Sequence, residues 1–199
     1  VVKRASLHNA DQMQLLDIHV GDYVYVEKGG EIIPKITAVE LSMRPSDAAL
    51  PHFPQTCPDC GTTLVRDEQE AKAFCPNQSG CPTQIQAKLV HFLSRKAMNI
   101  LAGDATVEQL YNKGYVWNVA DFYELEKDHL LTLEGWKDRS AERFLKSIKE
   151  SLKTPFEKVL YALGIRHVGE TTAKTLAVHF RSIDNLAQAP REELLQAED

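Results

Sequence analysis

All four cysteines of the chain fall between residues 57 and 81, in CPDCGTTLVRDEQEAKAFCPNQSGC, and this block constrains the fold more than any other stretch. Cys57 and Cys60 form a C-x2-C knuckle; fourteen residues then separate Cys60 from Cys75, and five separate Cys75 from Cys81. Two close pairs flanking a hairpin-length insert can bring four thiolates onto one tetrahedral ion, and zinc favours four sulfurs in closed structural sites. Pro58, Gly61, Pro76 and Gly80 beside the cysteines suit tight turns that aim backbone amides at sulfur. The alternative is two disulfides or four unrelated buried thiols, but clustered cysteines in a chain without secretory features point to a metal. Four thiolates leave no open position for water, so the zinc expected here is structural rather than catalytic. Such an ion contributes about 10–16 kcal/mol to local folding.

At 199 residues, with 43% hydrophobic and 26% charged residues, the chain is a globular protein long enough for more than one domain. No apolar run reaches the length of a membrane span, and the opening VVKRASLHNADQ has no apolar signal core. That opening also lacks an initiator methionine, and EELLQAED stops inside a helical pattern, so an internal piece of a longer protein is expected. The net charge of −5 weighs against broad electrostatic attraction to nucleic acid and leaves room only for local backbone contacts.

Residues 1–50 read mainly as β-structure. HVGDYVYVEKGGEIIPKITAVEL predicts a strand around Tyr23–Val26, a Gly29-Gly30 turn and a second strand around Ile36–Val39. Pro34 rules out a central ladder position and suggests an edge or bulge. Ahead of the strands, RASLHNADQMQLLDI combines capping residues with an apolar stripe and predicts a short helix. Small barrels of the OB type use such strands to bind nucleic acid. Lys3, Arg4, Lys28 and Lys35 fit phosphate contacts and fit solvated surface lysines and arginines equally well. MRPSDAALPHFPQT, with three prolines and no periodicity, reads as a linker.

Beyond the cysteines the chain is helical. IQAKLVHFLSRKAM puts Ile85, Leu89, Phe92 and Leu93 on one face, and His91 reads as a surface or core histidine because four cysteines already complete the metal site. One theme then recurs: helix, short glycine-bearing turn, helix. In FEKVLYALGIRHVGETTAKTLAVHF one stripe holds Phe156, Val159, Leu160 and Leu163, and the other holds Ala173, Leu176, Ala177 and Phe180, with Gly164–Gly169 between them. An earlier copy turns at Gly135-Trp136-Lys137-Asp138, a weaker one at Ala102-Gly103, and a fourth begins at PREELLQ.

Such turns have a chemistry. Glycine lets backbone approach a ligand closely, and the first amides of the second helix are unpaired and partly positive, so that end suits a phosphate oxygen. Several on one frame would hold a nucleic-acid backbone without reading bases. For Gly103 and Gly135 an ordinary helical corner with a C-cap glycine is the better reading. For Gly164–Gly169, followed by Thr171, Thr172 and Lys174 and carrying Arg166 and His167, phosphate binding is the better reading. A β-branched side chain at Gly169 is expected to block the phosphate and to penalise any positive φ there.

In order along the chain, SLHNADQ, GD-x7-GEIIP, CPDCG-x13-CPNQSGCP and LGIRHVGETTAKTLA resemble the bacterial NAD-dependent DNA ligases over essentially the whole sequence. The resemblance implies a multidomain fold: an incomplete, OB-like small β-barrel (1–50), a linker and four-cysteine zinc finger (51–84), and an all-α helix-hairpin-helix domain (85–199) ending before its fourth hairpin. It implies zinc ligation by Cys57, Cys60, Cys75 and Cys81. It further implies minor-groove contacts beside a nick for Ile32 and Ile33, and a phosphate contact for Lys28, where the family commonly has arginine. Backbone-amide phosphate contacts fall at Ile165, Arg166, His167, Val168 and Gly169. The activity implied for the full-length parent is the sealing of 3′-hydroxyl/5′-phosphate nicks in duplex DNA during replication and repair. NAD and Mg2+ are then bound outside these residues, in a cytoplasmic bacterial monomer. The family's KxDG motif with its nucleotidyl-accepting lysine is absent, so this stretch alone is expected to be inactive. Two hairpins depart from the pattern: GWK puts Lys137 where the family has a second glycine, and LAG keeps only Gly103. The alternative is a different class of function, a non-enzymatic DNA-binding or recombination-mediator protein of helix-hairpin-helix and zinc modules; such proteins usually place the hairpins before the cysteines, and GEIIP has no place in that reading.

Overall fold

The computed structural model of the chain describes residues 2–28, 33–66 and 71–197, and these form two compact units, residues 1–81 and 82–199. The predicted Gly29-Gly30 turn and Ile32 lie outside the described residues.

In the first unit the expected short helix is α1 (Ala10–Leu15), started by Asn9, whose side chain accepts the Gln12 amide at 2.9 Å. Strands β1 (Val24–Glu27) and β2 (Lys35–Val39) pair antiparallel, with a register shift between Tyr25 and Val26. On its other edge β2 meets the N-terminal segment: Ser6 donates its N–H to the Pro34 carbonyl at 2.7 Å and accepts from Ile36. Pro34 therefore precedes β2 and serves only as an acceptor, which is how a sheet tolerates proline. The proline-rich stretch is less featureless than expected, for Val20 bridges Ala49 and Leu41–Met43 makes a 3-10 turn. Two-residue strands β3 (Val65–Arg66) and β4 (Ala73–Phe74) then pair as an antiparallel ribbon between the cysteine pairs.

The second unit opens with α2 (Pro82–Leu93), proline standing at the first helical position, where no N–H is needed. Helices α3 (Asp104–Asn112), α4 (Lys127–Leu131), α5 (Asp138–Ser151), α6 (Phe156–Ala162), α7 (Glu170–Phe180), α8 (Ile183–Gln188) and α9 (Arg191–Leu194) follow. Between α3 and α4 a 3-10 segment at Val119–Glu124 is capped by Asn118. Leu89, Phe92 and Leu93 of α2 join Val107, Leu110, Phe122, Leu130, Phe144 and Ile148 in one core, with Ile85 packed against it. The apolar stripe read from IQAKLVHFLSRKAM is thus the face that is buried. His91 is structural: its Nε2 lies 2.8 Å from the Tyr161 carbonyl and its ring meets the Tyr161 ring edge-on, which ties α2 to the end of α6.

Candidate functional site

The four cysteine sulfurs lie within 4.8 Å of one another, and none of the four is in a disulfide. Cys60 and Cys75 are 3.5 Å apart and Cys57 and Cys81 are 3.9 Å apart. A tetrahedral zinc with Zn–S bonds near 2.3 Å sets its sulfurs about 3.8 Å apart, so the cluster has the dimensions of that ion. Each knuckle is held by its own backbone. Gly61 donates to the Cys57 carbonyl at 2.9 Å from a left-handed φ of 70°, which glycine adopts freely, and the Cys57 amide donates to Thr62. In the second knuckle the Cys81 amide donates to the Asn77 carbonyl, and the Gly80 amide to the Asn77 side chain at 2.9 Å. The thiols are unequal by themselves. The Thr62 hydroxyl beside Cys60 lowers that thiol to about 6, whereas burial pushes Cys75 up to about 11. A divalent cation removes the difference by holding all four as thiolates.

The α6–α7 turn gathers the second candidate site. Ile165, Arg166, His167 and Gly169 are exposed and Val168 is half-buried. No side chain caps α7, whose first helical residue follows Gly169 directly. The sequence reading is corrected in one respect. Gly169 has φ −78° and ψ −176°, an ordinary extended conformation, so no positive-φ requirement exists there. The left-handed positions of this turn are Gly164 (φ 62°) and His167 (φ 67°). At Gly169 a Cβ would meet nothing within 4 Å, so that glycine leaves an open approach to backbone.

Comparison of the hairpins shows what a departing residue changes. In the α4–α5 turn Gly135 is left-handed (φ 79°), Trp136 donates to the Leu133 carbonyl, and Lys137 is extended as the N-cap. In the α6–α7 turn His167, Val168 and Gly169 repeat this sequence of conformations, and Val168 donates to Ile165. Lys137 thus occupies a position that any residue can adopt, while the position that favours glycine keeps Gly135. The turns differ at their start, where Thr132 is right-handed (φ −80°) and Gly164 left-handed, and in their amides: the Lys137 N–H is taken by the Ser140 hydroxyl at 2.9 Å. The α2–α3 turn is further away from the pattern. Leu101 is not left-handed, and its N–H is committed to the Ser147 hydroxyl at 3.1 Å.

Residues 1–48 match the family model described as NAD-dependent DNA ligase OB-fold domain, and residues 56–82 that of the NAD-dependent DNA ligase C4 zinc finger domain. Residues 158–199 match a helix-hairpin-helix motif. The chain is 54% identical over 202 residues to a DNA ligase of Parabacteroides distasonis and 51% identical over 199 residues to one of Porphyromonas gingivalis, in each case across 100% of this chain and 30% of the relative. A DNA ligase of Cytophaga hutchinsonii is 52% identical over 98% of this chain and 29% of its own length. The chain's OB-fold and zinc-finger domains are those of the NAD-dependent DNA ligases. The chain spans about 30% of the length of the curated relatives it matches. The ligase zinc-finger match and the four gathered sulfurs coincide, so this is a structural zinc site held by cysteines. The OB, zinc and helix-hairpin-helix modules of a ligase occur here in that order.

Of the remaining ligase positions, Lys28 is exposed at the end of β1, and Ile33, 65% exposed, precedes β2. Ile32 lies outside the described residues.

Sequence reading missed Arg44. Its guanidinium grips Asp22 through Nε at 2.8 Å and Nη2 at 3.0 Å, and reaches Asp17 at 2.8 Å. Asp22 also accepts the His19 amide at 2.7 Å, and its side chain is only 1% exposed. In the sequence the GD pair stands out only for its family pattern, and the fold is what brings Asp22 to an arginine 22 residues on. Hydrogen bonds from Arg44, against some desolvation, hold the Asp22 carboxyl below its usual 3.8. A depressed folded pKa gives stability that is complete above the unfolded value and lost as pH falls through the folded one. Wild type is therefore expected to lose stability against Asp22→Asn below about pH 4. Urea melts of both proteins at pH 7 and pH 3.5 check this, and parallel losses would refute it.

Proposed function

We propose that this chain is the DNA-holding part of an enzyme that seals 3′-hydroxyl/5′-phosphate nicks in duplex DNA during replication and repair. The single observation that carries the reading is the exposed, side-chain-uncapped start of α7 beneath the turn at 165–169, in a chain whose other modules match a nick-sealing family. Backbone amides at that turn hold phosphate oxygens, Arg166 and Lys174 add local positive charge, and no base is read. Lys28 and Ile33 of the OB part contact backbone and minor groove beside the nick. With a net charge of −5 the attraction is local, and few phosphates are neutralised. Joining a nick needs its two ends held in line, which is a positioning task for these residues. The nucleotidyl chemistry, with NAD giving AMP to a lysine and Mg2+ assisting, belongs to residues beyond these 199, since no KxDG occurs among them. The enzyme is a cytoplasmic monomer in this reading. The mediator reading accounts for neither the ligase OB match over 1–48 nor the ligase zinc-finger match over 56–82.

Two measurements on the purified chain test the proposal. Fluorescence anisotropy is expected to show weak, sequence-independent binding with a shallow salt slope, roughly −0.9 per phosphate neutralised, and tighter binding to nicked than to intact duplex. Incubation with NAD labelled in its AMP moiety is expected to leave the chain unlabelled. Labelling would place the nucleotidyl acceptor within these residues and overturn that assignment, and equal affinity for nicked and intact duplex would remove the nick from the reading.

A further inference from the structure

We propose that Cys60 and Cys75 form an oxidant-sensitive pair within the zinc site, which a peroxide converts to a disulfide with release of the ion. The two halves of the cluster are not alike. Cys57 and Cys81 are 7% and 1% exposed, whereas Cys60 and Cys75 are half-buried and so present the face of the cluster that a small oxidant reaches. Their sulfurs are also nearer each other, at 3.5 Å against 3.9 Å for the buried pair. A disulfide bond near 2.05 Å then requires the sulfurs to close by roughly 1.5 Å, within reach of small rotations.

While the four sulfurs are gathered, side-chain and ribbon contacts draw the two knuckles together on this same face. Thr62 of the first knuckle lies 3.2 Å from the Cys60 sulfur and accepts a hydrogen bond at 3.4 Å from the Asn77 side chain of the second. The β3–β4 ribbon pairs Val65 with Phe74, the residue before Cys75. The two knuckles are thus linked through groups other than the metal, and the linkage lies on the Cys60–Cys75 side. Exposure and thiolate character decide which cysteines oxidise, and zinc keeps both as thiolates.

The chemistry balances with a peroxide as the oxidant. The Cys60 thiolate attacks one oxygen of hydrogen peroxide, forming an S–O bond and breaking the O–O bond, and the leaving hydroxide takes a proton to become water. The Cys75 thiolate then attacks the Cys60 sulfur, forming the S–S bond and expelling the second hydroxide, which becomes a second water. Two electrons pass from the sulfur pair to the peroxide, and zinc, left with two ligands, dissociates. Attack by one thiol gives a mixed disulfide, and attack by a second releases both cysteines and leaves the reagent as its own disulfide, which reverses the change.

The test uses the zinc-loaded chain with stoichiometric hydrogen peroxide. Released zinc is followed with a chromophoric chelator, and disulfides are mapped by mass spectrometry without reduction. Cleavage before Asp59 separates Cys57 from Cys60, and fragmentation of the linked peptide distinguishes Cys75 from Cys81. The expected result is one zinc released per disulfide formed, Cys60–Cys75 as the first linkage to accumulate, and recovery of zinc binding after dithiothreitol and added zinc. A first linkage of Cys57 to Cys60, oxidation of single cysteines to sulfinic acid without a disulfide, or retention of zinc under these conditions would each overturn the proposal.

Discussion

Withdrawing zinc is expected to unfold residues 57–81 while leaving the helices from α2 onward intact. The reason is how little else holds the first unit together. Among the described residues its buried apolar side chains are Ile18, Cys57 and Cys81, and two of these three are metal ligands. The ribbon between the knuckles has two residues in each strand, too few for independent stability. Structural zinc supplies about 10–16 kcal/mol in zinc-finger peptides, which matches or exceeds the whole stability of an ordinary domain, about 5–15 kcal/mol. The second unit has its own apolar core, from Leu89 through Phe122 and Leu130 to Phe144, which includes none of the four cysteines. Cys81→Ser, or a strong chelator, should therefore abolish amide protection across residues 57–81 and leave most of the helical circular dichroism signal. Hydrogen exchange read by mass spectrometry checks both halves of the expectation. Persistent protection of residues 57–81 in the metal-free chain would show that the ion is not what closes the knuckles.

That zinc site was legible because its signal is local: four residues of one type, in pairs, with turn residues beside them. The helical stripes were legible for a related reason, since Leu89, Phe92 and Leu93 follow helical spacing and all three are buried. Helix α8 was not foreseen. SIDNLAQ has too few apolar residues for a stripe, and its one signal was Ser182, whose hydroxyl accepts the Asn185 amide as an N-cap. The Arg44–Asp22 clamp was out of reach, because nothing in a one-dimensional pattern joins an arginine in a proline-rich stretch to an aspartate before a strand. The conformations of the glycine turns were read only in part. Glycine has two uses, positive φ and close approach, and sequence alone does not separate them. Gly135 and Gly164 are left-handed, whereas Gly169 is extended with open space before it. His167 takes a left-handed φ without being glycine, as histidine does more often than most residues.

This separation sharpens the test of the DNA grip. Gly169→Val is expected to fold as wild type does, because its φ and ψ lie in the extended region valine favours and a Cβ there touches nothing within 4 Å. Its branched side chain would nevertheless stand over the first amides of α7, where a phosphate oxygen must come within hydrogen-bond distance. Hydrogen bonds to charged groups contribute about 1.5–3 kcal/mol, so losing one lowers DNA affinity roughly ten- to hundredfold. Lys137→Ala is the control. Its turn enters the second helix through the same left-handed and extended residues, but the N-cap amide there is already held by Ser140. Removing one exposed lysine should therefore cost little affinity and flatten the salt slope by at most about 0.9. Titrations of both variants at two salt concentrations, with melting curves run alongside, distinguish the cases. If Gly169→Val melts like wild type and binds nicked duplex equally well, phosphate is not held at this turn. If it binds poorly only because it melts early, the open space before Gly169 is filled in solution and the steric account of the glycine fails.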